Sequence, residues 1–464
     1  MAIELVAIAA LLGAAAMVSF FVRLENEGRS HVVVQILLVA LLYELVVHAS
    51  FQRVPVGVFR VPLGPFDARP ADLLVPLALA ARAFGAVVPR QIRIAALLWG
   101  CFSVWYLAQA PVGILNGNES SDVIAQGRGI MIGAGLMVLV SGIDITKLVA
   151  GERLQKAGRI VGVVGAVLFL THFAKLSFRF DAPIIGFDEL GALGGDSRTL
   201  FPILGLMALM AEISSGKRRM TVIVPSFALL VTPVAATQGG PYLSLLLMMT
   251  LLTIVAAGST WKRRMNLTAV DVGFVLSLFL IIGAVSVFSS GGAKPVFVDQ
   301  FEEAVLSDSQ ATTTGERYQL WDEAGDIIAA SPIWGDGLGV FGTIERRFPN
   351  NAIDTTFHNV PLDIAARTGL VGAALASAAM AATAFQALKV WRRHANPVVA
   401  SVAMTAMLGS CAIMARAFVS SSIEHPRVTV AYFLLIGLVL ACARSLDEAT
   451  ESEQEQPELV AVNA

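Results

Sequence analysis

Hydrophobic blocks of fifteen to twenty-two residues, separated by short polar turns, run through most of this 464-residue chain. Read by length and apolarity, they predict membrane-spanning helices at 2–22, 31–49, 71–88, 92–110, 123–143, 158–176, 199–213, 220–236, 240–258, 268–289, 370–391, 398–418 and 428–444. The pattern predicts an all-α polytopic membrane protein of about 12–13 transmembrane helices. The first block, MAIELVAIAALLGAAAMVSFFV, lacks the basic start of a signal peptide and is long enough to span, so it is read as a retained helix.

One stretch breaks the rhythm. Between 290 and 369 lies a large loop of mixed polar and turn-forming sequence. Within it, 316–330 reads as a short helix, because Leu320, Trp321, Ala324, Ile327 and Ile328 form one apolar stripe. SPIWGDGLGVFG is turn-rich and ends that helix. Further on, Asn359 reads as an N-cap, with Pro361 in the first turn, Asp363 near the positive helix end and Gly369 as the closing C-cap. The organisation is therefore N-terminal spans over 1–289, the loop over 290–369, C-terminal spans over 370–444 and an acidic tail over 445–464 that reads as disordered.

Composition agrees with the bilayer as solvent: 56% of residues are hydrophobic and 15% charged, with mean hydropathy +0.72, against about 25% charged in soluble chains. The net charge of -2 excludes nothing by itself, since charge in such a protein is read loop by loop. Lys147, Arg153, Lys156 and Arg159 fall in one loop, Lys217 to Arg219 in another, Lys262 to Arg264 in a third, and Lys389, Arg392 and Arg393 in a fourth. These are alternate loops, so all become cytoplasmic together and the 290–369 loop falls outside. The 50–70 loop, with Arg53, Arg60 and Arg69, is the exception; its Pro and Gly content suggests an irregular segment lying on the surface.

Chemistry-bearing residues are few. Cys101, Cys411 and Cys442 have no ligand-like spacing, the loop acids form no H-E-x-x-H or D-x-D cluster, and no P-loop, nucleophile elbow or nucleic-acid stripe occurs. No metal or cofactor is expected. Of six histidines, His358 stands out because it precedes a capped helix N-terminus, where the dipole favours a neutral ring able to accept a proton. A histidine bonding loop backbone is the other reading, and local sequence does not choose. Arg128 and Arg416 lie inside apolar blocks near their outer ends, Arg179 and Arg198 in the 177–198 loop, and Arg317, Arg346 and Arg347 in the large loop. Guanidiniums gathered at one membrane face suit a phosphate or diphosphate, against pairing with Glu44, Asp72 and loop acids.

His358-Asn359, nine residues, then Gly369-Leu370-Val371-Gly372 resembles the histidine motif of the O-antigen ligase and O-antigen polymerase family. Arg317-Tyr318-Gln319-Leu320-Trp321 followed by SPIWGDGLGVF resembles the same family's upstream pattern. The resemblance implies a metal-independent membrane glycosyltransferase at the outer face of the inner membrane. It implies a glycan donor linked to undecaprenyl diphosphate and an acceptor that is lipid A core, another carrier-linked glycan or another hydroxyl-bearing molecule. By motif match His358 is the general base and Arg317 a diphosphate-binding arginine; Trp321, Asn359 and the other arginines named above are the remaining candidates for holding substrate. Two departures stand out: Thr237-Gln238-Gly239-Gly240 occupies the place of the family's Ser-Arg-Gly, a role left to Arg198 or Arg179, and the first span is additional. The rival reading from another class is a transporter or flippase for a lipid-linked or anionic substrate. It predicts midplane charges and paired broken helices, whereas the charges here sit toward span ends.

Overall fold

The computed structural model describes residues 15–37, 61–63, 66–68, 70–85, 94–153, 155–156, 158–160, 162–163, 194–230, 313–345, 352–418 and 426–462. Helical backbone covers 15–26 and 30–37. A short hairpin of β1 (Val61–Leu63) and β2 (Phe66–Ala68) precedes α1 (Pro70–Gly85). Then follow α2 (Ile94–Leu115), α3 (Ser120–Ser141), α4 (Ile145–Ala150), α5 (Gly194–Ser214), α6 (Met220–Leu230) and α7 (Thr313–Ala330). A second hairpin, β3 (Gly342–Glu345) against β4 (Ala352–Thr355), leads to α8 (Val360–Arg393), α9 (Pro397–Ala417) and α10 (Pro426–Val462). Among the described residues five segments are long and apolar enough to cross a membrane: Ile94–Leu115, Ser120–Ser141, Val360–Arg393, Pro397–Ala417 and Val428–Thr450. The protein is an all-α polytopic membrane protein, with the two hairpins as minor additions.

Paired contacts give the helix directions. Asp72 meets Arg128 and Arg82 meets Leu139, so α1 and α3 run parallel. Phe433 lies against Gly133 and Arg444 reaches Gly142, so α10 runs the same way. A Cβ at Gly133 would stand 2.5 Å from the Phe433 ring, so this contact uses the small-residue packing that lipid-solvated helices need. Trp99 Nε1 donates to Thr383 Oγ1 at 3.0 Å and Trp105 Nε1 to the Thr368 carbonyl at 2.9 Å, which sets α2 antiparallel to α8. Ser214 beside Ser401 and Gly409 beside Ile203 set α5 antiparallel to α9. One end of the bundle therefore gathers Lys147, Lys217 to Arg219, Lys389, Arg392 and Arg393, and residues 313–345 and 352–369 lie at the other.

The basic end is built from satisfied charges. Arg82 donates to the carbonyls of Leu139 and Val138 at 2.7 and 3.3 Å, and Arg444 to those of Gly142 and Ile143 at 3.1 and 3.2 Å. Two cations thus cap the negative end of α3. Fully buried Glu212 accepts from Arg219 Nε at 2.9 Å and Nη2 at 2.8 Å, while Glu152 accepts from Lys217 and Arg219. Hydrogen bonds from Lys217 and then Arg219 pull the Glu152 carboxyl down to about 2.

Some boundaries differ from the sequence reading. α2 continues to Leu115 through Pro111, where the pattern suggested a stop at 110. Proline is tolerated inside such a helix when neighbours satisfy the freed backbone groups. The 50–70 loop, read as irregular, contains the β1–β2 hairpin. α10 runs to Val462, so the tail that reads as disordered continues as helix. Its Glu, Gln and Ala residues are good helix formers, and Arg444–Glu448 and Lys389–Asp447 pairs hold the first turns. The predicted spans 240–258 and 268–289 lie outside the described residues, as do most of 2–22, 31–49 and 158–176.

Candidate active site

The loop that carries the motifs has its own small core. Leu320 and Ala324 of α7 pack with Val340, Phe357 and Ala366, and Trp321, Ile327, Ile328 and Leu362 close around them. All five residues of the apolar stripe read from the sequence are in this cluster. α7 lies on the first turns of α8, and the two bracket the turn that holds His358.

That turn is built residue by residue. Asn359 is the N-cap of α8, its Oδ1 accepting from the Leu362 N–H at 3.2 Å, with proline in the first turn. Such a cap is worth about 1 kcal/mol. His358, one residue earlier, has φ +51°, a left-handed conformation that costs a non-glycine residue about 1–3 kcal/mol. Both backbone polar groups of the preceding residue, Phe357, are occupied. The Phe357 N–H donates to Asp363 Oδ1 at 3.1 Å, and its carbonyl accepts from Trp321 Nε1 at 3.0 Å. The Phe357 side chain is fully buried. Two hydrogen bonds, a buried ring and a cap therefore over-determine the histidine's backbone and hold it in its strained form.

Trp321 is the link to the arginine. It sits one helical turn after Arg317 on α7, so the helix that carries Arg317 is bonded directly to the peptide preceding His358. Tyr318 meets Trp321 edge-on, ring centroids 5.4 Å apart.

α8 is two helices in one. Gly369 has φ +67° and ψ −177°, which breaks the helical path between a short segment at 360–368 and the span that follows. The turn-rich segment after α7 fills the break. The N–H groups of Asp336 and Gly337 donate to the carbonyls of Ala366 and Arg367 at 2.8 and 3.1 Å, and the Leu370 N–H donates to Pro332 at 2.8 Å. The sequence placed a cap at Gly369; the interlock with SPIWGDGLG was not legible there. This is the physical content of the histidine-to-glycine spacing. The short helix must end where the loop can bond its last carbonyls.

The same segment docks sideways onto α2 and α3. Leu338 N–H donates to the Gln109 carbonyl at 3.1 Å, and Asn118 Nδ2 donates to the Leu338 carbonyl at 2.9 Å. Asn116 Nδ2 donates to the carbonyl and Oδ1 of Asp336, both at 3.0 Å. Gln126 accepts from Gly339 N–H at 2.7 Å and donates to the Val340 carbonyl at 3.3 Å. These amides act as an extra strand edge, and sequence patterning offered no sign of them. Burial pushes the Asp336 carboxyl up from its usual range, opposed by the Asn116 bond. Trp334 stacks on Trp105 with centroids 5.1 Å apart. Trp105 is ten residues before the end of α2, about 15 Å at 1.5 Å per residue. The segment therefore lies beside the upper part of the bundle rather than on top of it.

The remaining candidates divide. Arg128 Nε bonds Asp72 Oδ1 at 2.6 Å with both side chains mostly buried, the pairing weighed against anion binding in the sequence. Arg416 is buried in the last turn of α9, at the same end of the bundle as the His358 turn. Arg198 is in the first turns of α5, and its side chain lies outside the described residues; Arg179, Arg346 and Arg347 lie outside them altogether. Among the described residues no group of three or more His, Cys, Asp or Glu is placed to hold a metal ion. Arg367 was passed over in the sequence. It is buried at 3% exposure, with Nη2 3.5 Å from Asp363 Oδ1; a charged residue four after Asp363 in an otherwise apolar turn was the available signal.

No curated protein matches the chain. Residues 224–377, from within α6 to the middle of α8, match the family described as O-antigen ligase (Wzy_C). The matched segment contains Arg317, Trp321, the docked loop, the His358 turn and Gly369. The motif-bearing part of the chain is therefore similar to the O-antigen ligase family.

Proposed function

We propose that this multi-pass membrane protein transfers a glycan from an undecaprenyl-diphosphate carrier to an acceptor hydroxyl at the outer face of the inner membrane. The family supports an O-antigen ligase-type membrane glycosyltransferase in general. The observation that carries the finer reading is the left-handed His358, set at a helix N-terminus directly after a residue whose N–H and carbonyl are both hydrogen-bonded. Strain of this kind concentrates at functional sites.

In this reading His358 is the general base. It removes the acceptor hydroxyl proton as the oxygen attacks the anomeric carbon, and the bond from that carbon to the diphosphate breaks. General-base help is worth roughly 10²–10⁴-fold in rate. The departing diphosphate gains negative charge, which Arg317 on α7 neutralises by bidentate hydrogen bonds, with Arg416 and the arginines of the neighbouring loops in support. Guanidinium, planar and always charged, takes the place a divalent metal fills in other diphosphate chemistry. Arg128 is left to its structural pairing with Asp72. The position of the motif segment beside the upper bundle suits a donor whose lipid tail stays in the outer leaflet.

Deletion of the gene tests this against transport. A transferase leaves lipid-linked glycan accumulating in the outer leaflet, open to an impermeant glycosidase. Accumulation only in the inner leaflet contradicts the proposal and supports a flippase. Loss of long chains alone marks a polymerase, and loss of attachment marks a ligase.

A further inference from the structure

The left-handed turn at His358 needs a reason to persist, and the structure supplies one that lies five residues further along the chain. Asp363 sits in the first turns of α8 with 1% of its surface exposed. Its own N–H closes the first turn of the helix onto the Asn359 carbonyl at 2.8 Å. Its Oδ1 turns back, past the cap, to accept the Phe357 N–H at 3.1 Å. The carboxylate thus spans the histidine. It holds the residue before His358, while its backbone belongs to the helix after it. Removing that acceptor frees the Phe357 N–H, one of the two hydrogen bonds that fix the residue leading into the left-handed turn at His358.

A buried carboxylate requires a counter-charge. Arg367, one turn further along the same helix face and 3% exposed, brings Nη2 to 3.5 Å from the same Oδ1. Its own carbonyl accepts from Gly337 at the helix break. One short helix therefore carries the histidine turn at its start, the acid and base of a buried pair along its inner face, and the interlock with the docked loop at its end.

We propose that Asp363, with its charge balanced by Arg367, is a positioning residue for His358, fixing the imidazole toward the acceptor without itself touching substrate. This rests on the reading of His358 as the base. The role is separable from simple packing because it makes the acceptor oxygen, rather than the charge, the element that matters.

The test uses full-length protein in nanodiscs and undecaprenyl-diphosphate-linked glycan isolated from the deletion strain. Asp363→Ala should lower kcat at least tenfold and leave KM for the donor within about twofold. It should change the rate of His358 carbethoxylation by diethyl pyrocarbonate, read by mass spectrometry, at least threefold. The double variant Asp363→Asn/Arg367→Met keeps an acceptor oxygen and removes both charges, so its kcat should stay within about fivefold of the parent. In a His358→Ala background, Asp363→Ala should cause no further loss, because residues acting through one group are not additive. Unchanged kcat and carbethoxylation in folded Asp363→Ala, or a full second loss in the His358→Ala background, overturns the proposal. Where Asp363→Ala does not accumulate, the double variant decides: loss to the His358→Ala level counts against the acceptor role. Normal transfer by His358→Ala would instead overturn the base assignment, while the carbethoxylation comparison would still decide whether Asp363 sets the ring.

Discussion

Replacing Gly369 by alanine probes the joint on which the site depends. At φ +67° and ψ −177° the backbone lies in a region that is essentially glycine's alone, costing a side-chain-bearing residue about 1–3 kcal/mol. The added Cβ would also stand 2.0 Å from the Ile333 carbonyl oxygen and 2.8 Å from the Trp334 nitrogen. Both obstacles are backbone, so neither can swing aside as a flexible side chain would. Relief requires the loop or the short helix to move by more than an ångström, which disrupts the Leu370-to-Pro332 bond, worth about 0.5–1.5 kcal/mol. The combined destabilisation is about 2–4 kcal/mol. Gly325 on α7 is the control: it has open space around a built Cβ, and alanine in a helix interior gains about 0.5–1 kcal/mol over glycine. Thermal unfolding of both variants in nanodiscs, beside their glycan-transfer rates, makes the comparison. Gly369→Ala should melt well below the parent and lose transfer, while Gly325→Ala should match or exceed the parent's stability. Equal stability and activity of Gly369→Ala would refute the argument that the spacing from His358 to Gly369 is set by this interlock.

Arg317→Lys should lose most transfer at normal accumulation, since an ammonium cannot bind a diphosphate through the guanidinium's two-pronged geometry; full activity would reduce Arg317 to a point charge. With Cys101, Cys411 and Cys442 replaced, a cysteine at Ser120 should react with an impermeant thiol reagent in spheroplasts, and one at Arg218 only after lysis. Reversed labelling would invert the orientation drawn from the Lys/Arg clusters. Glu152, held near 2 by Lys217 and Arg219 against an ordinary 4.5, contributes stability that is full above pH 4.5 and is lost as pH falls toward 2. Melting temperature should therefore fall less steeply between pH 5 and 3 in Glu152→Gln than in the parent, and identical slopes would exclude the network as the cause.

The helical pattern announced most of what the bundle and the motif loop became. Leu320, Trp321, Ala324, Ile327 and Ile328 are all in the loop's small core because a helical period dictates which side chains share a face. Asn359 and Gly369 were legible because capping chemistry is local. What escaped depended on partners far away in the chain. Nothing near Gln126 or Asn116 indicates that their amides bond residues 336 to 340, because an amide in an apolar helix carries no signature of its acceptor. The left-handed form of His358 escaped for the same reason, since the residue before it is held from two directions by Trp321 and Asp363. Arg128 showed the limit of charge counting: a guanidinium in an apolar block invites an anion-binding reading, and only the fold brings Asp72 to 2.6 Å. In the acidic tail composition speaks for disorder, while helix propensity and the anchored first turns accompany continuation of α10 to Val462.

Whether His358 takes the acceptor's proton is decided by a purified transfer reaction. Parent and His358→Ala protein in nanodiscs are compared with undecaprenyl-diphosphate-linked glycan as donor, measuring both product formation and donor binding. Loss of a general base should lower turnover roughly 10²–10⁴-fold, with donor affinity within about twofold because the diphosphate is held by arginines. Turnover at the parent rate in His358→Ala would contradict the base assignment.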